Sequence, residues 1–286
     1  MAKKNLVYIW SLRNAAADRA GRYIDYRGER RYMMSPLEYL AGELNNSALG
    51  DKYSLKAVIY DDDKYSPKDC EKLEGYGFYP SGRAPWFFPK ELEVQGEKLC
   101  DKLCSVPSTY RRYPMNAPER LTGKQIFEKA LHDKLIELEA DLVVLDGLLV
   151  ILDELVRPGS LYRGRIVNIH PGITAPDSPY QRRGAYATLD ALYGARGEKV
   201  LNWETMEKVS ITPVLKTGAS FHYVDNSIDS GEVITDVLNT EISSEDTIFE
   251  LRWNNFHNSL FPALTRGLKI MAQLENESLL DLASAD

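Results

Sequence analysis

Residues 122–172 constrain the fold more than any other stretch of this sequence. Thr122 to Leu138 reads as a helix in which Ile126, Phe127, Ala130, Leu131, Leu135 and Leu138 recur at the three-or-four spacing of one apolar face. It feeds Leu142-Val-Val-Leu145, a run with no polar position. Such a run suits a strand covered on both faces, the situation of a central strand in a parallel sheet. A second strand, Arg165 to His170, is stopped by Pro171-Gly172. Strand, helix and strand in this order imply an α/β architecture with a mostly parallel, Rossmann-like sheet flanked by helices.

The rest of the chain extends that pattern. Residues 5–10 and 55–60 read as two further buried strands. Between them Ser35-Pro36-Leu37-Glu38 has the signature of a capped helix start. Beyond Gly172 come a helix near 183–193, strands at 218–224 and 231–238, and a closing amphipathic helix at about 244–273. Ile248, Leu251, Phe256, Leu260, Leu264 and Leu268 form its apolar face. No repeat and no Ser/Gly-rich linker interrupts the chain. The reading is one domain over 1–275, with insertions at 11–50, 80–120 and 195–216, and a flexible tail at 276–286.

Charge and cysteine content bound the function. Lys and Arg number 35 against 42 Asp and Glu, a net charge of −7. That balance argues against a nucleic-acid or membrane-surface binder, which needs a basic field. Cys70, Cys100 and Cys104 are odd in number and lack metal-knuckle spacing, which fits a reducing cytosol. Cys100 and Cys104 are spaced as one helical turn. The apolar run at 5–10 is too short for a membrane span or a signal peptide. A cytoplasmic location is the expectation. The common phosphate-loop and nucleophile-elbow motifs are absent.

The chemistry is concentrated at two strand ends. Asn168 and His170 are two residues apart, so they share one face of their strand, roughly 7 Å apart. They sit where open α/β sheets bind ligands. Asp229 is bracketed by the turn-forming pairs Asp225-Asn226 and Ser230-Gly231. A carboxylate there can act as a base or orient one, or merely cap its own turn. His170, His222, Asp225 and Asp229 match no recognised metal-ligand spacing, so no metal is expected.

In order, these segments resemble the folate-dependent formyltransferase family, including the catalytic domains of glycinamide ribonucleotide formyltransferase and formyltetrahydrofolate deformylase. The likeness lies in Ala140-Asp-Leu-Val-Val-Leu-Asp-Gly-Leu-Leu-Val-Ile-Leu152, in Val167-Asn-Ile-His-Pro-Gly172, in Thr217 to Ile234 and in Leu260-Phe-Pro262. It is close over 122–272 and looser before that. The resemblance implies the formyltransferase fold, with N10-formyltetrahydrofolate as donor. It makes Asn168 and His170 donors to the developing oxyanion, an effect worth about 3–4 kcal/mol per well-placed donor. Asp229 would hold His170 and accept the amine proton, directly or through water. The folate would lie beside the 147–153 and 223–229 loops, near Leu149, Leu152, Val224 and Asn226.

The departures from the family point to the acceptor. The family's glycine-rich phosphate loop is replaced by Ser11-Leu-Arg-Asn-Ala-Ala-Ala17. Glycinamide ribonucleotide is therefore not the expected acceptor; an amino-acid-like or specialised-metabolite amine is. The regulatory domain of the deformylase and the basic barrel of the tRNA-directed relatives have no counterpart in the sequence. Arg13, Arg83, Arg111 and Arg112 are candidates to clamp an anionic group of the acceptor. Tyrosine is over-represented, 17 against 8 Phe, and many of the tyrosines fall in 8–113. Formyltetrahydrofolate hydrolysis, with water as acceptor, and an inactive folate-binding scaffold are the competing readings. A homodimer through an N-terminal insertion is left open, and no nucleic-acid or membrane partner is expected.

Overall fold

A computed structural model describes residues 2–75 and 91–283 of the chain. In chain order the elements begin with β1 (Lys4–Trp10), α1 (Leu12–Ala17), a hairpin of β2 (Arg22–Tyr26) and β3 (Glu29–Met33), α2 (Pro36–Asn46), β4 (Tyr53–Tyr60) and α3 (Pro67–Gly75). A short ribbon of β5 (Glu93–Val94) and β6 (Glu97–Lys98) follows, then β7 (Leu103–Ser105), α4 (Pro118–Glu137), β8 (Leu142–Asp146) and β9 (Ile166–His170). The chain continues through α5 (Ala187–Ala195), β10 (Glu198–Asn202), β11 (Glu207–Ser210), β12 (Lys216–Tyr223) and β13 (Val233–Glu241). It closes with α6 (Ile248–Asn255), a π-helical turn at Phe256–Leu260, and α7 (Phe261–Ala283).

Seven strands form the central sheet in the order β13-β12-β9-β8-β1-β4-β7. The five strands from β9 to β7 pair parallel, and β12 runs antiparallel to both its neighbours. Alternation along each strand divides the core in two. Val7, Ile9, Val143, Leu145 and Ile166 face Phe127, Leu131 and Leu135 of α4. Leu6, Tyr8, Trp10, Leu142, Val144, Val167 and Ile169 face α2, the π turn and α7 through Leu37, Leu40, Leu44, Leu260, Leu264 and Leu268. Burial on both faces is why the central strands carry almost no polar residue.

Several local expectations are met. Ser35 caps α2 through Glu38, and the Glu38 carboxylate closes the box on the Ser35 N–H, with Pro36 in the first turn. The closing region breaks into two helices joined by the π turn, while its expected apolar face holds except that Ile248 is only half-buried. Other expectations need correction. Ile126 and Ala130 are exposed, because α4 rests on the sheet through Phe127, Leu131 and Leu135 and turns those two outward. Cys100 lies in a 3-10 turn and Cys104 in β7, so they do not share a helix. The backbone of α7 continues to Ala283, well into the expected tail, of which 284–286 lie outside the described residues.

Two of the stretches expected as insertions carry elements of their own. Residues 11–50 supply α1, the β2–β3 hairpin and α2. The hairpin packs on α6: the Tyr26 hydroxyl donates to Asn254 Oδ1 at 2.7 Å, and Trp253 Nε1 donates to the Tyr32 carbonyl at 3.1 Å. The Arg31 guanidinium lies 3.8 Å from the Tyr26 ring centroid and 4.6 Å from that of Trp253. Residues 195–216 carry the β10–β11 hairpin. Among the described residues no helix is long and apolar enough to cross a membrane.

Candidate active site

Parallel pairing aligns the carboxyl ends of β8 and β9, and the antiparallel partner β12 brings a further side chain beside them. Asn168 on β9 is in register with His222 on β12, so the two side chains rise on the same face of neighbouring strands. After β12 the chain turns through 224–232 and carries Asp229 back over this pair. The turn needs a left-handed residue at Asp229, where φ is 45°. It also needs no side chain at Gly231, since a Cβ there would sit 1.8 Å from the Tyr223 carbonyl oxygen.

Asn168, His170 and Asp229 thus converge from two separate segments. Asn168 Nδ2 donates to Asp229 Oδ1 at 3.1 Å, and His170 Nδ1 lies 3.3 Å from Asp229 Oδ2. The Gly184 N–H also donates to Asp229 Oδ2, at 2.8 Å. Burial alone would push the Asp229 carboxyl up. The neighbouring His222 and His170 imidazoles and the Gly184 N–H outweigh it and hold the group well below the usual carboxylate range. A carboxylate held so strongly ionised is a poor proton acceptor and a good orienting group. The geometry supports half of the role expected for Asp229, the holding of His170.

His170 is buried, which lowers its pKa below the ordinary value against the opposing pull of Asp229. Its Nε2–H donates to the Arg182 carbonyl oxygen at 3.0 Å, since that oxygen can only accept, and its Nδ1 faces Asp229 Oδ2. Exchanging the carbonyl for a ligand oxygen would aim the same N–H at that ligand. His222 was weighed in the sequence only as a metal ligand, yet it completes the frame. Its Nδ1 donates to the Tyr223 carbonyl at 2.8 Å, leaving Nε2 to accept from Asn168 Nδ2 at 3.3 Å. Both Asn168 N–H groups are therefore engaged, and the longer contact to His222 is the weaker one to give up to a ligand.

The remaining candidates fall into three groups. Arg13, Arg111 and Arg112 are not open anion clamps. Arg13 pairs with Asp62 and Asp69 at 3.2 and 2.8 Å, Arg111 with Asp61 and Asp69 at 2.6 and 2.8 Å, and Arg112 with Asp63 at 2.5 Å. The Asp61-Asp-Asp63 run that ends β4 consumes these charges internally, as a buried carboxylate must be paired or neutralised. Within the cluster, burial and the like charge of Asp61 push Asp62 up to about 6. Arg83 lies outside the described residues. In the third group, Leu149 is 56% exposed and Asn226 is exposed, whereas Val224 is half-buried and Leu152 fully buried. At Leu152 only the main chain can meet a ligand. The backbone N–H groups of Leu149, Ile151 and Leu152 have no protein partner among the described residues.

At the end of β8, Asp146 accepts a hydrogen bond from the Tyr8 hydroxyl at 2.7 Å. Burial and the charge of Asp18 push its pKa up to about 7, against that hydrogen bond. Tyr8 and Tyr53 are fully buried, and the Tyr53 hydroxyl donates to the Leu268 carbonyl. Part of the tyrosine excess thus fills the core with its polar tips partnered. Among the described residues no group of three or more His, Cys, Asp or Glu side chains is placed to hold a metal ion.

Comparison with known proteins agrees with this geometry. The family model described as formyl transferase matches residues 102–257. A solved structure described as "PvdF of pyoverdin biosynthesis is a structurally unique N10-formyltetrahydrofolate-dependent formyltransferase" is 64% identical. It covers 95% of this chain and 99% of its own, with a TM-score of 0.87. Phosphoribosylglycinamide formyltransferase of Bacillus subtilis (strain 168) is 26% identical over 155 residues, which is 53% of this chain and 65% of the Bacillus protein's length. The phosphoribosylglycinamide formyltransferase of Anaplasma phagocytophilum shares the fold at 18% identity, with a TM-score of 0.52 over 95% of this chain and 88% of its own. With over half of its length matched by the family model and its Asn168-Ile-His170-Pro and Asp229-Ser-Gly motifs brought to one strand edge, this chain belongs to the formyl transferase family.

Proposed function

We propose that the protein transfers a formyl group from N10-formyltetrahydrofolate to the amine of a small metabolite. The observation that carries this reading is the convergence of Asn168, His170 and Asp229 within 3.1–3.3 Å at the carboxyl edge of the sheet. The donor supplies a carbon open to attack by an amine. Asp229 holds His170 and Asn168 in place, the His170 Nε2–H and an Asn168 N–H meet the charge growing on the formyl oxygen, and the proton lost by the amine passes through water to N10 of the departing tetrahydrofolate. No side chain of the protein becomes acylated. The donor's ring system would rest on the apolar surface formed by Leu149, Ile151 and Val224, beside the N–H groups of Leu149, Ile151 and Leu152, which have no partner among the described residues.

The acceptor is an amino-acid-like or specialised-metabolite amine. Support comes from the segment after β1, where Arg13 is spent on aspartates and no glycine-rich loop offers backbone N–H groups to a phosphate. It comes too from the likeness to PvdF, a protein of pyoverdin biosynthesis. The test is to incubate the protein with N10-formyltetrahydrofolate and a panel of amines and amino acids, and to search by mass spectrometry for products heavier by one formyl. Formylation of an unphosphorylated amine is the expected result. Tetrahydrofolate released at the same rate with no amine present would instead mean that water is the acceptor.

A further inference from the structure

Between β8 and the turn at 153–156 the chain forms a strap, and each end of it is held by a side chain from a distant element. At the leading end Asn14 of α1 donates through Nδ2 to the Gly147 carbonyl. Gly147 has a φ of +68°, and a Cβ there would come within 2.9 Å of Asn14 Nδ2, so the position requires glycine. At the trailing end stands Glu128 of α4, only 2% exposed. Its Oε2 accepts from the backbone N–H of Asp153 at 2.9 Å and of Glu154 at 2.8 Å, with the Leu155 N–H at 3.5 Å. Lys124, one turn earlier on α4, lies 3.7 Å from Glu128 Oε1 and pairs with Asp153.

Burying a carboxylate in a helix face otherwise built of Phe127, Leu131 and Leu135 is costly unless its hydrogen bonds repay the desolvation. Here they do so by fixing the backbone of 153–155. Between the two clamps the buried Leu148 and Leu152 side chains and the half-buried Val150 anchor the chain, while Leu149 and Ile151 turn outward. We propose that Glu128 and Asn14 are positioning residues for the formyl donor: they hold residues 147–155 in the shape that receives it. Neither touches the reacting atoms. Asn14 also ties the strap to the segment after β1. This inference rests on the reading of 147–155 as the donor-binding strap.

The test measures tetrahydrofolate binding by calorimetry, and the KM for donor and for acceptor, in the unsubstituted protein, Glu128→Ala, Glu128→Gln and Asn14→Ala. Glu128→Ala is expected to weaken donor binding about 10- to 100-fold, the scale on which a misplacement of about 1 Å is felt. The acceptor KM should stay within about threefold. Glu128→Gln should recover most of the loss, because its amide oxygen still accepts the 153 and 154 N–H groups. Unchanged donor binding in a folded Glu128→Ala protein overturns the inference alone. If that variant does not fold, the donor KM of Glu128→Gln and Asn14→Ala decides, and wild-type values in both overturn it. Absence of tetrahydrofolate binding by the unsubstituted protein overturns the donor-strap reading, and the inference with it.

Discussion

Asp229 combines an uncommon backbone conformation with an uncommonly stable charge. Its φ of 45° is tolerated by Asp and Asn because their short polar side chains bond locally. Asp229→Asn therefore keeps the turn and removes only the charge, whereas alanine would add strain. Turnover in Asp229→Asn, Asn168→Ala and His170→Ala is expected to fall at least ~100-fold, the effect of losing one well-placed polar group at a reacting centre. Thermal melting should confirm that each variant folds. Near-full activity in any two of the three would remove the site assignment. The pH profile tests the protonation states of the frame. Burial lowers the His170 pKa below the ordinary value and Asp229 is held ionised, so neither changes charge through neutral pH. A kcat/KM profile is therefore expected to be flat through neutral pH, and a limb there assigned to His170 would remove this reading.

The site depends on close approaches between elements that only glycine allows. Gly267 on α7 lies against the Phe221 ring of β12, where an added Cβ would come 2.1 Å from Phe221 Cδ1. Phe221 is fully buried and adjoins His222, so its ring has no room to withdraw. Gly267→Ala is expected to destabilise the fold by about 1–3 kcal/mol through overpacking. It should also lower kcat by shifting β12, and urea unfolding with parallel kinetics reads both effects. Strands β4, β8 and β9 were legible in the sequence as apolar runs ended by Asp, Gly or Pro, whereas β7, where Cys104 was expected on a helical turn, is too short to carry such a signal. The outward turn of Ile126 and the inward turn of Glu128 were not legible either. Helical spacing marks an apolar face only to within one residue either way, and the 153–155 backbone that makes a buried Glu128 worthwhile is 25 residues distant in the chain.

At the scale of the molecule, the carboxyl edge of the sheet holds two charged assemblies with different purposes. One is the Asn168/His170/Asp229 frame. The other is the Arg13/Arg111/Arg112 cluster with Asp61, Asp62, Asp63 and Asp69, which ties α1, α3 and the segment before α4 to the end of β4. If the cluster is structural, Arg13→Met should destabilise the protein by about 3–5 kcal/mol, since it strands buried carboxylates. The loss should be smaller at pH 5 than at pH 8. Asp62 has a folded pKa of about 6, so it already takes up a proton at pH 5 and needs the cation less. Melting curves at the two pH values measure this. A raised acceptor KM with unchanged melting would restore Arg13 as a substrate contact.

The sequence by itself determined the alternation of strands and helices, the burial of the central strands, and the identity of Asn168, His170 and Asp229 as the polar groups left at strand ends. Hydrophobic periodicity and turn chemistry are local properties, so they survive in one dimension. What only the tertiary structure decided is which charges are free to act. Arg13, Arg111 and Arg112 look like ligand clamps along the chain and are matched by aspartates 42 to 56 residues away. His222 looks incidental until strand pairing sets it beside Asn168. Asp229 reads as a turn cap or a base, and the groups that fold around it hold it ionised beside His170. Electrostatic state depends on neighbours in space and on the water they exclude, and neither is written in local sequence.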